Sequence, residues 1–85
     1  MSRALIIGAG GVAGVVIHKC CQNSEVFEEI CIASRTKSKC DKYKEQVVAK
    51  GYKTKVTTAQ VDADHTEEVI ALINQLKPDI VINVA

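Results

Sequence analysis

Short apolar runs recur along the chain, at residues 4–7, 30–33 and 80–84. An uninterrupted run of this kind predicts a β-strand that is buried on both faces. Residues 54–61 instead alternate β-branched and polar side chains, which predicts a strand with one less buried face. The pattern therefore predicts four strands, and the stretches between them are long enough to hold helices.

The first two of these stretches have apolar residues near helical spacing. Residues from about 11 to 22 predict one helix, which Asn23 and Ser24 end. Residues 38–50 predict a second, charged helix, and Gly51 closes it at the position where a left-handed residue usually stands. Few of its side chains need to face the sheet; we expect these to be Tyr43, Val47 and Val48.

The third stretch has the clearest amphipathic pattern. Its apolar stripe consists of Val69, Ile70, Leu72, Ile73 and Leu76. Asp64 stands three residues before Glu67, a spacing that predicts Asp64 as the N-cap. Pro78 ends the helix, because proline disfavours helical geometry in the residue before it.

The predicted order is β-α-β-α-β-α-β. Apolar strands joined by helices predict a parallel sheet, so the fold class is α/β, of the Rossmann type. In such sheets ligand groups lie beyond the carboxyl ends of the strands, and the chain ends with its fourth strand at Ala85. We therefore expect an N-terminal fragment of a doubly wound domain, with further chain beyond it.

Composition narrows the class of partner. Of 85 residues, 47% are hydrophobic and 25% charged, and the net charge is +1, which gives no electrostatic case for a nucleic-acid or membrane partner. No apolar run approaches a membrane span, and the apolar run near the N-terminus is too short for the secretory signal pattern, so we expect none. The four cysteines have no zinc spacing, so we expect no metal and four reduced thiols in the cytoplasm.

The turn after the first strand is rich in glycine, and two registers fit it. Gly8, Gly10 and Ala13 match the dinucleotide fingerprint with alanine in third place, whereas Gly8, Gly11 and Gly14 match a wider spacing. In both, the glycines allow a tight turn and close approach of a pyrophosphate to a helix N-terminus. The residues expected to contact the cofactor here are Gly8, Gly10, Gly11, Val12 and Ala13.

The end of the second strand indicates which dinucleotide binds. NAD-binding proteins usually place an acidic residue there, to bond the ribose 2′-hydroxyl. This chain has Ser34, Arg35 and Thr36 instead. A guanidinium can pair with a 2′-phosphate, and hydroxyls can donate to it. Lys37 and Lys39 add positive charge, so we predict NADP(H), with Ser34, Arg35, Thr36 and Lys39 in the site.

Two further strand ends supply candidate contacts. Asp62, after the third strand, can accept a hydrogen bond from the adenine amine, and Val61 or Ala63 can give apolar contact. The end of the fourth strand should approach the ribose and pyrophosphate. The residues expected to contact the cofactor in these two places are Asp62, Ala63, Asn83, Val84 and Ala85.

No set of residues for catalysis can be assembled from this chain. The spacing offers no Ser/His/Asp set and no paired carboxylates, and both His18 and His65 are expected to be structural or exposed. We therefore expect the chain to hold a cofactor and to contain no catalytic residue.

The chain as a whole resembles the saccharopine dehydrogenase family. The resemblance is carried by residues 6–12, 18–20, 25–27, 30–40, 60–64 and 77–85, of which 30–40 are the most specific. The family motif usually has glycine where Ala13 stands. Within the family the likeness is greatest to enzymes of polyamine synthesis.

That resemblance implies an NADPH-dependent reductive condensation. An amine of a short diamine adds to the aldehyde of L-aspartate β-semialdehyde, water leaves, and hydride from NADPH reduces the imine to a secondary amine. It also implies that the small-molecule substrate and the catalytic residues belong to the part of the protein absent here.

Two other interpretations fit the residues. One is a fragment of an extended short-chain dehydrogenase or epimerase, which Gly8, Gly11, Gly14 and Asp62 would suit. The other is a non-catalytic domain that senses a nucleotide. In each case the last strand would be an exposed edge, so we expect a homo-oligomer.

Overall fold

The computed structural model describes residues 3–8, 10–23, 27–62 and 64–84. Within them the elements follow the predicted order. They are β1 (Arg3–Ile7), α1 (Gly11–Gln22), β2 (Glu29–Ser34), α2 (Lys37–Ala49), β3 (Lys55–Gln60), α3 (Thr66–Leu76) and β4 (Ile80–Asn83). The strands form one sheet in the order β3-β2-β1-β4.

All pairings within the sheet are parallel. Leu5 of β1 lies opposite Cys31 of β2 on one side and Val81 of β4 on the other. The chain moves outward from β1 to β3 and then returns to place β4 on the other side of β1. This reversal is the switch point at which α/β sheets bind ligands, so the loop after β1 is the expected place for a site. The α/β Rossmann-type prediction is confirmed.

The two faces of β1 support two separate cores. Ala4 and Ile6 pack with buried residues of α1 and α2, among them Ile17 and Val47. On the opposite face, Leu5 and its neighbours pack against one side of α3. The molecule therefore has three layers, with two helices on one face of the sheet and one on the other. Burial of β1 on both faces explains its uninterrupted apolar run.

The α3 and β4 region is the least covered part of the sheet. No residue within α3 is fully buried. Ile70 is 52% exposed, Ile80 is 45% exposed and Val81 is 41% exposed. Since β4 is an edge strand, its outer backbone groups lack a neighbouring strand among the described residues.

Two local predictions are corrected by the structure. The N-cap of α3 is His65 and not Asp64, because the helix begins at Thr66 and the His65 carbonyl accepts the backbone N–H of Glu68 at 3.0 Å. Val48 faces solvent, and Cys40 is the residue of α2 that joins Val47 in the core. Gly51, at φ 75°, has the left-handed conformation predicted for it.

Candidate functional site

A cavity of about 290 Å³ opens at the carboxyl ends of β1, β2 and β3. Its described lining comes from the three loops that follow these strands. The residues are Ile7, Gly8, Gly10, Ser34, Arg35, Thr36, Lys39, Val61, Asp62 and Asp64. The fold thus brings the glycine turn and the Arg35 loop, more than twenty residues apart in sequence, to one cavity.

Gly8 makes the turn that leads from β1 into this cavity. Its φ of 116° lies in the left-handed half of conformational space, which residues with a Cβ rarely adopt. Its N–H donates to the carbonyl of Ala33 at 2.7 Å, so the turn is joined to the end of β2.

Gly10 leaves the N-terminus of α1 open. It is the N-cap of that helix, and a Cβ built on it would meet nothing within 4 Å. Among the described residues no side chain caps α1, and its first turn has no acidic residue. Unpaired N–H groups with no acid beside them favour an anion at this end of the helix.

The structure separates the roles of the two glycine registers. Ala13 is fully buried in the core between α1 and the sheet, so it occupies the helix-packing position of the first register. Gly14 faces α2 instead, where a Cβ would lie 3.1 Å from the ring of Tyr43. Gly11 and Val12 belong to the first turn of α1, but the structure does not describe what surrounds their side-chain positions. Ala9 lies outside the described residues.

The loop after β2 is held by its own hydrogen bonds. The Ser34 hydroxyl donates to the carbonyl of Thr36 at 3.0 Å and accepts from the Thr36 N–H at 3.2 Å. The Gln60 amide donates to the carbonyl of Arg35 at 3.1 Å. Ser34 is therefore engaged in shaping the turn. The Arg35 guanidinium is exposed and makes no ion pair with any described residue.

Charges of both signs line the cavity. Lys39 faces it together with Arg35, whereas Lys37 pairs with Asp41 at 3.7 Å and is not part of the described lining. Asp62 and Asp64 contribute carboxylates from the loop after β3. The cavity therefore offers cations beside the β2 loop and acceptors beside the β3 loop, which suits a ligand with a phosphate at one place and an amine donor at another.

The two described candidates on β4 lie at the margin of this arrangement. Asn83 pairs with Ile7 in the sheet, and the N–H of Val84 donates to the Ile7 carbonyl at 2.8 Å. The described lining of the cavity does not include them. Ala63 and Ala85, also predicted as contacts, lie outside the described residues.

Sequence reasoning missed two residues of this region. Asp64 was assigned to a helix cap, yet it lines the cavity, and its position two residues after Asp62 in the same loop was the available signal. Tyr43 was assigned to the sheet, yet its hydroxyl donates to the carbonyl of Gly10 at 2.9 Å. No sequence pattern links those two residues.

The four cysteines are buried free thiols. Burial raises the pKa of Cys20 and Cys31, and burial together with the neighbouring Cys20 raises the pKa of Cys21 to about 11. These three thiols stay protonated near neutral pH. Among the described residues no cluster of His, Cys, Asp or Glu could hold a metal, and no helix is long and apolar enough to cross a membrane.

The fold and the cavity define a Rossmann-type nucleotide-binding domain. The family model described as the saccharopine dehydrogenase NADP binding domain matches residues 4–85. The chain belongs to this family and is an NADP-binding domain, which confirms the cofactor predicted from the β2 loop. The match also favours this family over the short-chain dehydrogenase interpretation.

Curated relatives agree with the family match. The carboxynorspermidine synthase of Vibrio cholerae serotype O1 is 47% identical over 83 residues, which cover 93% of this chain and 20% of that protein. The carboxyaminopropylagmatine dehydrogenase of a Synechocystis strain is 42% identical over 85 residues, which cover all of this chain and 20% of that protein. The chain thus spans about a fifth of the length of these relatives.

A solved structure supports the fold. Protein Rv1636 from Mycobacterium tuberculosis H37Rv superposes with a TM-score of 0.72 at 13% identity, covering 96% of this chain and 69% of that one. At this identity the likeness concerns the architecture alone.

The described residues fit NADP. Gly10 has open space where a Cβ would stand, the α1 N-terminus has no acidic neighbour in its first turn, and the Arg35 guanidinium makes no ion pair with a described residue. The first two features accommodate a pyrophosphate, and the third is available to a 2′-phosphate.

Proposed function

We propose that this chain is the N-terminal, NADPH-holding part of an oxidoreductase of polyamine synthesis. The observation that carries the proposal is the shared cavity: the Gly8–Gly10 turn and Arg35 both line it, and no carboxylate stands at the end of β2. A longer chain would supply the substrate and catalytic domain.

Each loop takes one part of the cofactor in this proposal. The pyrophosphate lies at the α1 N-terminus, held by Gly8, Gly10, Gly11 and Val12, while the buried Ala13 lets α1 pack close to the sheet. Arg35 and Lys39 pair with the 2′-phosphate, with Thr36 beside them and Ser34 holding the turn. Asp62 and Ala63 lie against the adenine, and the end of the fourth strand, at Asn83, Val84 and Ala85, approaches the ribose and pyrophosphate. Two features support this order: no described side chain caps the α1 N-terminus, and Arg35 makes no ion pair with a described residue.

The names of the relatives support the reaction class. One makes carboxynorspermidine, and the other is a dehydrogenase of carboxyaminopropylagmatine. We propose the same chemistry for the whole protein: a primary amine condenses with the aldehyde of L-aspartate β-semialdehyde, water leaves, and the resulting imine is reduced to a secondary amine. NADPH supplies the hydride, and this chain's residues bind and orient it.

Three further features belong to the proposal. The exposed apolar edge at β4 supports a homo-oligomer or a further strand in the whole protein. The four buried free thiols and the absence of a zinc spacing support a reducing cytoplasm. Nucleic acid and membrane play no part in it, since the net charge is only +1.

An NMR titration of the chain tests the binding proposal. On addition of NADPH, we expect amide shifts at Gly8, Gly10 and Arg35. We expect little change at Gly51, which lies near the amino ends of the strands, at the edge of the sheet opposite to the cavity. Shifts spread evenly over the chain, or none in a dispersed spectrum, would contradict it.

A further inference from the structure

Tyr43 links helix α2 to the glycine turn. Its hydroxyl donates to the carbonyl of Gly10 at 2.9 Å. It reaches across 33 residues of sequence to the N-cap of another helix. Tyr43 is half-buried and packs against the core on the α1 and α2 face of the sheet. Tyr43 is not among the described residues that line the cavity. It therefore contacts the glycine turn from the side facing α2, away from the cavity.

Gly14 makes this contact possible. A Cβ at Gly14 would stand 3.1 Å from Cε1 of Tyr43 and 3.3 Å from its hydroxyl oxygen. Both separations are shorter than ordinary van der Waals contact, so a Cβ at position 14 would require the Tyr43 ring to shift by a few tenths of an ångström. The glycine at this position is therefore explained by Tyr43, with no need for a nucleotide contact.

The hydrogen bond fixes the orientation of one peptide. The Gly10 carbonyl accepts from the Ala13 N–H at 3.1 Å as well as from Tyr43. A trans peptide is planar, so its C=O and the next N–H point in opposite directions. Holding the Gly10 carbonyl toward Tyr43 therefore also restricts the direction of the next N–H, that of Gly11. This N–H is one of the open donors at the α1 N-terminus.

We propose that Tyr43 is a positioning residue for the pyrophosphate end of the NADP site, a role that rests on the proposed function above. Tyr43 does not touch the cofactor. It holds the Gly10–Gly11 peptide in the orientation that presents N–H groups to an anion. Since α2 begins directly after Arg35 and Thr36, the same helix connects the 2′-phosphate loop with the pyrophosphate turn.

Three probes separate this role from a general structural one. NADPH carries both groups, ADP carries a pyrophosphate without a 2′-phosphate, and 2′-AMP carries a 2′-phosphate without a pyrophosphate. Affinities would be measured by NMR titration of the chain and of Tyr43→Phe, which keeps the ring and removes the hydroxyl. Tyr52→Phe is the matched control, because Tyr52 is not among the described residues that line the cavity. Its ring instead packs edge-on with that of His18, with the two ring centroids 6.2 Å apart.

We expect Tyr43→Phe to weaken the binding of NADPH and ADP by about three- to tenfold, while the affinity for 2′-AMP changes by less than about twofold. Gly14→Ala should give the same selective pattern by displacing the ring, whereas Tyr52→Phe should change none of the three. An equal loss for all three probes, or no loss in a folded Tyr43→Phe, would overturn the positioning role alone. A wild-type chain that binds none of the probes would overturn the proposed function and this role with it.

Discussion

The N–H of Gly8, one residue beyond the last paired position of β1, donates to the carbonyl of Ala33 at 2.7 Å. This bond extends the sheet into the loop region and ties the glycine turn to the strand that leads to Arg35. The separation between the two halves of the proposed cofactor site is therefore set by sheet register. In this fold the pairing of β1 with β2 thus determines where the two halves of the site lie.

Gly8→Ala should destabilise the chain. The φ of 116° at Gly8 is unfavourable for any residue with a Cβ, and we expect the free energy of unfolding to fall by about 1–3 kcal/mol. Urea unfolding followed by circular dichroism measures this. Wild-type stability in Gly8→Ala would show that the turn can relax without cost.

Gly10→Ala should separate binding from stability. The backbone at Gly10, with φ −81° and ψ −172°, suits any residue, and a Cβ there meets nothing within 4 Å. We expect the unfolding free energy to change by less than about 1 kcal/mol. NADPH affinity should fall by about tenfold or more, because the methyl occupies space that the pyrophosphate needs. Unchanged affinity by fluorescence titration would place the pyrophosphate elsewhere.

Lys39 and Lys37 should differ as ligands for a phosphate. Lys39 lines the cavity, whereas Lys37 pairs with Asp41. Lys39→Ala should weaken NADPH binding by about two- to fivefold, since exposed charges contribute modestly. The loss should shrink at high salt. Lys37→Ala is the control and should bind as the wild type does; an equal loss in both variants would indicate only a diffuse charge effect.

The order of elements was predictable because burial dictates it. A strand buried on both faces, such as β1, needs apolar residues at every position, and α3 needs a stripe. The cap of α3 was mispredicted because the helix begins two residues after Asp64, with His65 in the cap position. Asp64 instead donates its N–H to the Asp62 carboxylate, so a capping-box spacing does not by itself fix where a helix begins.

The site was predictable where one loop supplies it and not where two elements meet. The glycine turn and Arg35 are readable from sequence, since each follows an apolar run. The contact of Tyr43 with Gly10 depends on how α1 and α2 pack, and Gly14 looks like part of a nucleotide motif until that packing is seen. Likewise, Ser34 looked like a phosphate donor, but its hydroxyl shapes the loop.

His65 should titrate above its ordinary pKa of 6.5. Its Nδ1 lies 2.6 Å from the Glu68 carboxylate, and this hydrogen bond, with added effects of Asp62 and the Glu68 charge, raises the pKa of the imidazole. Because the folded pKa is raised, this stabilisation is complete below about pH 6.5 and is lost as pH rises through the folded pKa.

The imidazole proton shifts in an NMR pH titration measure that pKa. Glu68→Gln should bring it back toward 6.5, whereas Glu67→Gln, one residue away in the same helical turn, should change it less. A His65 pKa below 6.5 in the wild-type chain, or one indifferent to Glu68→Gln, would show that the two side chains do not pair in solution.

The central claim is that Arg35 reads the 2′-phosphate. The most direct measurement is the ratio of NADPH to NADH affinity in the wild-type chain and in Arg35→Ala, by isothermal titration. Removing a charge-assisted contact should weaken NADPH binding by about ten- to a hundredfold and leave NADH binding unchanged, so the affinity ratio falls toward one. A wild-type chain that binds NADH as well as NADPH, or an Arg35→Ala variant that keeps its preference for NADPH, would contradict the account.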